Sequence, residues 1–388
     1  MYKNKYNTIL KYLFLFFIFF PYLTPIDTPW SLQPYSFFLS LFVILLHKNH
    51  KINKRIIYFL SVSLFSILVG VLSLSDIINS IRSIANYVSF PFIVWASILV
   101  NPTSTEVKFF IKGALLVYFS IGLLQITLIP GFLSFLVPHQ GTSDDLFLSG
   151  RGVASLTPEP SYFGFIMFLF YFLGIFFNSK LLKIVSLFSI IFLARSITVF
   201  FCLFISLFIL FAFKNKRRFL FSLFFTFLLL IISYIFILNY VSDSRALILI
   251  QSFFSDGFTS TIDNDVSAAG RLYHITYPIS ESFKNFLIPF GYNGLPNGDT
   301  RILSGIAGAI YELGIISIIL FYNIIGILFQ KNEFKYNVRI SIGIGLLLFI
   351  LNANQIGMPV FCFIISLIMY SNSEFSNRKI ILSNNLSE

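Results

Sequence analysis

Residues 41–72 read LFVILLHKNHKINKRIIYFLSVSLFSILVGVL, two apolar runs separated by a short basic break. Apolar side chains occupy nearly every face of both runs, the pattern of helices surrounded by hydrocarbon or by other apolar helices. Roughly 20 apolar residues carry a helix across a bilayer core about 30 Å thick. The break holds Lys48, Lys51, Lys54 and Arg55, with His47 and His50 beside them, and reads as a solvated basic loop. Loops rich in Lys and Arg stay cytoplasmic during insertion, so this stretch predicts helix, membrane and orientation together.

The alternation continues along all 388 residues, of which 57% are apolar and 11% charged, a composition foreign to a soluble globular domain. Candidate spans fall at 9–24, 33–46, 56–74, 84–100, 110–129, 161–177, 181–193, 197–213, 219–240, 303–329, 338–352 and 356–371. The stretch 181–213 would be about 50 Å long as one helix, too long for the bilayer, so it turns at Ala194-Arg195-Ser196. The expected fold is therefore all-α: a single polytopic membrane domain over 1–388, a bundle of about 12 transmembrane helices. Both termini are expected in the cytoplasm.

Charge sidedness carries the orientation. Of the 27 Lys and Arg residues, 20 fall on the inner side of this segmentation, including the cluster Lys214/Lys216/Arg217/Arg218. The other seven are outside: Arg82, Arg151, Arg195, Arg245, Arg271, Lys284 and Arg301. The net charge of +11 thus reports topology, and no nucleic-acid partner is expected. Six of the seven outer cations are Arg, whose guanidinium grips phosphate and carboxylate bidentately, which marks them as ligand contacts.

The first span follows Lys3, Lys5 and Lys11, as a signal peptide would. It meets Pro21-Tyr22-Leu23-Thr24-Pro25 where a small-residue cleavage site belongs, and reads as an uncleaved span. Cys202 and Cys362 lie within apolar spans and read as small hydrophobes. Part of the large Phe complement is expected to face lipid, and Trp30 and Trp95 to anchor at the interface. No phosphate-binding loop, dinucleotide fingerprint, zinc spacing or internal repeat is present, and neither a metal nor another cofactor is expected.

Two enlarged extracytoplasmic loops, 130–160 and 241–302, break the rhythm of short connections. Long loops in compact proteins usually carry function. Their apolar patches Gly131–Val137 and Phe286–Phe290 suit the membrane surface. The first loop ends in Gly150-Arg151-Gly152, then Thr157-Pro158-Glu159-Pro160-Ser161. Flanking prolines hold the Glu159 backbone extended and aim its carboxylate, and Ser161 is placed to cap the following helix. The alternative is a proline-rich helix entry with a solvated acid.

The second loop carries Gly270-Arg271 and His274 one helical turn later, a pair able to meet an anion and relay a proton, unless the His is merely structural. Asp263-Asn264-Asp265 has metal-motif spacing and reads as a solvated acidic turn. If the chain is helical from Arg301, then Arg301, Gly305, Gly308 and Glu312 share one face. Glu312 is the most deeply placed acid and calls for a paired or wet position. A Gly-rich packing face with an interfacial Glu is the alternative. Arg195 either snorkels to lipid headgroups or reaches a lipid phosphate.

At these loops the chain resembles the O-antigen polymerase and ligase superfamily of bacterial polysaccharide assembly. The resemblance rests on Gly150-Arg151 leading to Pro158-Glu159-Pro160-Ser161, on Gly270-Arg271, on Asn285 through Gly294, and on Glu312-Leu313-Gly314. The chain departs from it at His274 and Ser304, where relatives often carry Trp, and His or Asn. The resemblance implies an inner-membrane glycosyltransferase that polymerises O-antigen or capsule repeat units carried on undecaprenyl diphosphate. It implies Arg151, Arg271, Arg301 and Arg195 as diphosphate contacts, with Glu159, Glu312 or His274 as the catalytic base. Its expected partners are the lipid-linked oligosaccharide, the bilayer, a flippase and a chain-length regulator. An O-antigen ligase, or a polysaccharide flippase or transporter, is the alternative reading.

Overall fold

The computed structural model describes residues 2–24, 32–47, 52–72, 77–138, 152–212, 266–298, 302–330, 336–353 and 355–371. Within them the protein is all-helical, with thirteen α-helices. In chain order these are α1 (Tyr2–Phe19), α2 (Tyr35–Leu46), α3 (Lys54–Leu72), α4 (Ile77–Val100), α5 (Ser104–Thr127), α6 (Pro160–Phe176) and α7 (Lys180–Phe188). A π-helical turn (Ser189–Ala194) leads to α8 (Ile197–Ala212), followed by α9 (Val266–Lys284), α10 (Gly305–Leu313), α11 (Ile316–Phe329), α12 (Tyr336–Asn352) and α13 (Pro359–Ser371). Three helices, Lys54–Leu72, Ser80–Val100 and Ser104–Thr127, are long and apolar enough to cross a membrane, and several shorter apolar helices accompany them. The expected span 219–240 lies outside the described residues.

Helix α6 carries six of the 52 Phe residues. Phe163, Phe165, Phe168, Phe170 and Phe172 face different directions around it, yet all are buried. A helix that is apolar all round belongs at the centre of a bundle. Here α5, α7, the π turn, α8, α12 and α13 enclose it. These rings pack edge-to-face, Phe168 on Phe172 at 4.7 Å and Phe165 on Phe349 at 5.5 Å, so they are core packing and not lipid-facing filler. Trp95 is likewise buried within α4, a core residue and not an interfacial anchor. Several hydroxyls in the apolar helices bond back to the preceding turn, as where Ser97 donates to Ile93 O and Ser206 to Cys202 O, both at 2.7 Å.

The break expected at Ala194–Ser196 is present: Arg195 takes a left-handed φ of 49° and separates the π turn from α8. By contrast, the stretch 303–329 is not one helix. It begins only at Gly305, capped by the Ser304 hydroxyl, and breaks at Gly314, whose φ is 59°. The Ile315 N–H turns to Leu287 O at 2.9 Å, so the loop segment after α9 fills the break. A methyl at Gly314 would run into that same carbonyl.

At the opposite end from these breaks, α5 starts with a capping box. Thr103 accepts from Glu106 N, and Glu106 accepts from Thr103 N at 2.7 Å. Glu106 also pairs with Lys11 of α1. Glu106→Ala removes both features and is expected to destabilise the protein by about 1–2 kcal/mol, read as a lower unfolding temperature in detergent, with Glu106→Gln closer to wild type.

Candidate functional site

Four chain breaks that the charge pattern assigns to the outer side come together around one cavity of about 100 Å³. The entry to α2 contributes Gln33, Pro34 and Ser36, and the segment after α12 contributes Gln355 and Gly357. Helix α4 supplies Arg82, Ser83, Asn86 and Ser89, spaced so that they form one polar stripe on an otherwise apolar helix. Helix α10 supplies Gly305, Gly308 and Glu312, which share a face as expected. Close approach makes Gly357 necessary, since a methyl there would strike the Asn86 carbonyl and the Ser89 hydroxyl. The Gly357 N–H instead donates to Asn86 Oδ1 at 2.8 Å.

Glu312 is held by neutral donors. Tyr87 donates to its Oε2 at 2.6 Å and Ser83 to its Oε1 at 3.3 Å. Tyr292 lies against the Tyr87 ring, with centroids 6.5 Å apart, and bonds through its hydroxyl to Ser66 of α3. Phe290, two residues earlier, stacks on Tyr311 at 4.4 Å and 2°. The Asn285–Gly294 segment thus reaches into the bundle and braces the helix face that carries Glu312. Phe286 and Ile288 remain exposed, in keeping with an apolar tip.

Beside the cavity lies a second group. The Tyr22 hydroxyl donates to Gln355 Oε1 at 2.9 Å, and its ring sits 5.6 Å from that of Tyr162. Tyr162 lies within electrostatic reach of Glu159, Arg271 and Arg82. Arg271, on α9, also donates from Nη1 to Thr198 Oγ1 at 3.2 Å. Tyr162 therefore lies near a carboxylate from the first loop and near guanidinium groups from α4 and α9.

Glu159 is presented by buried backbone. Residues Gly152, Val153 and Ser155–Pro158 are buried, although the stretch reads as a solvated loop. Gln125 satisfies this backbone, accepting from Ser155 N at 2.7 Å and donating to Ser155 O at 3.2 Å and to Phe132 O at 2.9 Å. Helix α6 starts one residue earlier than expected: Pro160 is its first residue and Glu159 its N-cap. Ser161 does not cap the helix but donates to Glu159 Oε2 at 3.3 Å. Proline fits that first position because its missing N–H would have had no helical partner.

The structure thus brings Glu159, Arg271 and Glu312 into one neighbourhood. His274 is 5% exposed, on α9 beside Tyr273, and does not line the cavity. Gly270 lies within α9, where a methyl would meet nothing within 4 Å, so its role is not close packing. Arg195 bonds through Nε to Phe192 O at 3.2 Å and also stands away from the cavity. Arg151, Arg301, Arg245, Trp30 and Asp263–Asp265 lie outside the described residues. Because α10 starts at Gly305, the expected shared helix face is present for Gly305, Gly308 and Glu312. Among the described residues no group of three or more His, Cys, Asp or Glu is arranged to hold a metal ion. Arg82 was marked in the sequence only as one of the seven outer cations, and the stripe Arg82, Ser83, Asn86, Ser89 is the signal that would have set it apart; Tyr87, Tyr162 and Gln355 were not singled out. Compared with models of known families, with curated proteins and with solved structures, the chain matches none.

Proposed function

We propose that this protein is a membrane glycosyltransferase of bacterial surface-polysaccharide assembly, which polymerises repeat units carried on undecaprenyl diphosphate at the outer face of the inner membrane. The observation that carries this reading is the polar cavity walled by Arg82 and Glu312, with Arg271, Glu159 and Tyr162 near one another beside it. Arginine beside a cavity suits a diphosphate leaving group, and a carboxylate held by two hydroxyls suits a proton acceptor. The cavity is lined from breaks that the Lys and Arg distribution assigns outside, where the lipid-linked donor is exposed.

In this mechanism a hydroxyl of the lipid-linked acceptor attacks the anomeric carbon of the donor. The new glycosidic C–O bond forms as the bond to the diphosphate breaks, and that electron pair stays on the diphosphate oxygen. Arg271, with Arg151 and Arg301, stabilises the developing charge. The hydroxyl proton passes to Glu312, with Glu159 orienting the groups around Tyr162. Arg271→Ala is expected to slow transfer by about 10²-fold.

Incubating reconstituted protein with lipid-linked repeat units tests this reading. A lengthening ladder supports polymerisation, while transfer to a second acceptor makes the protein a ligase. A carrier is the second reading, favoured by the break between α10 and α11 beside a cavity acid. Unchanged glycan crossing the vesicle membrane would establish it and sink the transferase.

A further inference from the structure

We infer that the cavity between α4 and α10 is a subsite for a sugar bearing a carboxylate, with Arg82 as the counter-ion of that carboxylate. The inference rests on the transferase reading for the sugar itself. Its choice of an acidic sugar stands on the charge inside the cavity.

Arg82 lines the cavity near the start of the membrane-spanning part of α4. Its Nη2 is buried and, among the described residues, has no hydrogen-bond partner. No described residue forms a salt bridge with Arg82, although Glu312 lines the same cavity. Glu312 is instead taken up by Tyr87 and Ser83, both neutral. A buried guanidinium nitrogen left without an acceptor is costly, whereas a planar carboxylate matches its paired donors.

The rest of the wall chooses between anions. Gln33, Ser36, Asn86, Ser89, Ser304 and Gln355 are neutral groups that donate and accept, as ring hydroxyls require. Arg82 brings one positive charge to a wall that already carries Glu312, so it offsets the charge of one carboxylate and no more. A diphosphate in the same space would set at least two negative charges against Glu312 with one guanidinium to offset them. The diphosphate therefore belongs at Arg271 and the carboxylate at Arg82.

Binding of methyl β-glucuronide and methyl β-glucoside to the full chain in nanodiscs, followed by calorimetry, tests this. The glucuronide is expected to bind at least about tenfold more tightly. Arg82→Gln should erase the preference, and Arg82→Lys should retain part of it. Should Arg82→Gln fail to fold, Asn86→Asp serves instead. Aspartate keeps the acceptor for Gly357 and sets a carboxylate one helical turn from Arg82, and the preference should again vanish. Equal binding of the two glycosides, a preference unchanged in both variants, or inorganic pyrophosphate displacing the glucuronide from Arg82 with higher affinity would each overturn the inference. A glucuronide preference without transfer in the ladder assay would leave the subsite standing and remove the transferase. Transfer without the preference would do the reverse.

Discussion

Glu312→Gln is expected to lower transfer by about 10³-fold in the lipid-linked ladder assay while the protein remains folded and monodisperse. Gln preserves the size of the side chain and one carbonyl acceptor for Tyr87, so the network through Tyr292 to Ser66 persists. What is lost is the group able to take the acceptor's proton. The effect should fall on kcat more than on KM, because the carboxylate matters most as the attacking oxygen gives up its proton. Tyr87→Phe should cost less, about tenfold, since it misplaces the acid without removing it. Glu159→Gln is the comparison that assigns the base. Glu159 is the N-cap of α6 and is absent from the cavity wall, so it should cost less than Glu312→Gln. The opposite order would move the base to Glu159.

Gly152→Ala is expected to destabilise the fold by about 3 kcal/mol, enough to abolish recovery of monodisperse protein. The Val153 N–H donates to Leu193 O at 2.9 Å, which draws the Gly152 backbone onto the π turn. A methyl there would collide with the carbonyl oxygens of Leu193 and Ala194. Those are backbone atoms, which cannot swing aside as a side chain would. Displacing them would also move Arg195 and the start of α8, where Arg271 bonds to Thr198. Gly270→Ala is the internal control. With nothing near its Cβ and a position inside α9, it should be neutral or stabilise by up to about 1 kcal/mol. Thermal unfolding of both variants in one detergent separates the cases, and an unimpaired Gly152→Ala would show that the chain does not pass so close to the π turn.

Most of the helices were legible because a span is a local property of the chain. The runs at 161–177 and 338–352 correspond to α6 and α12 within a residue or two. The break at Arg195 followed from length alone. The break at Gly314 did not, since Leu313-Gly314-Ile315-Ile316 continues the apolar run toward 329. Only the approach of Leu287 O explains it. The buried path of 152–158 was hidden for a similar reason. Its polar backbone looks solvated until Gln125, in the last turn of α5, is seen to satisfy it.

By itself, the sequence determined that this chain is helical, how its apolar runs are spaced, and which breaks carry its basic residues. Each of these depends on a segment and the solvent around it. Tertiary structure alone decided that α6 is the centre, that Arg82 shares a cavity with Glu312, and that Arg271 and Glu159 both lie near Tyr162. Lipid tails and a protein core are equally apolar, so hydropathy does not distinguish a side chain facing one from a side chain facing the other. A polar residue on an apolar helix therefore shows its purpose only once a distant helix packs against it.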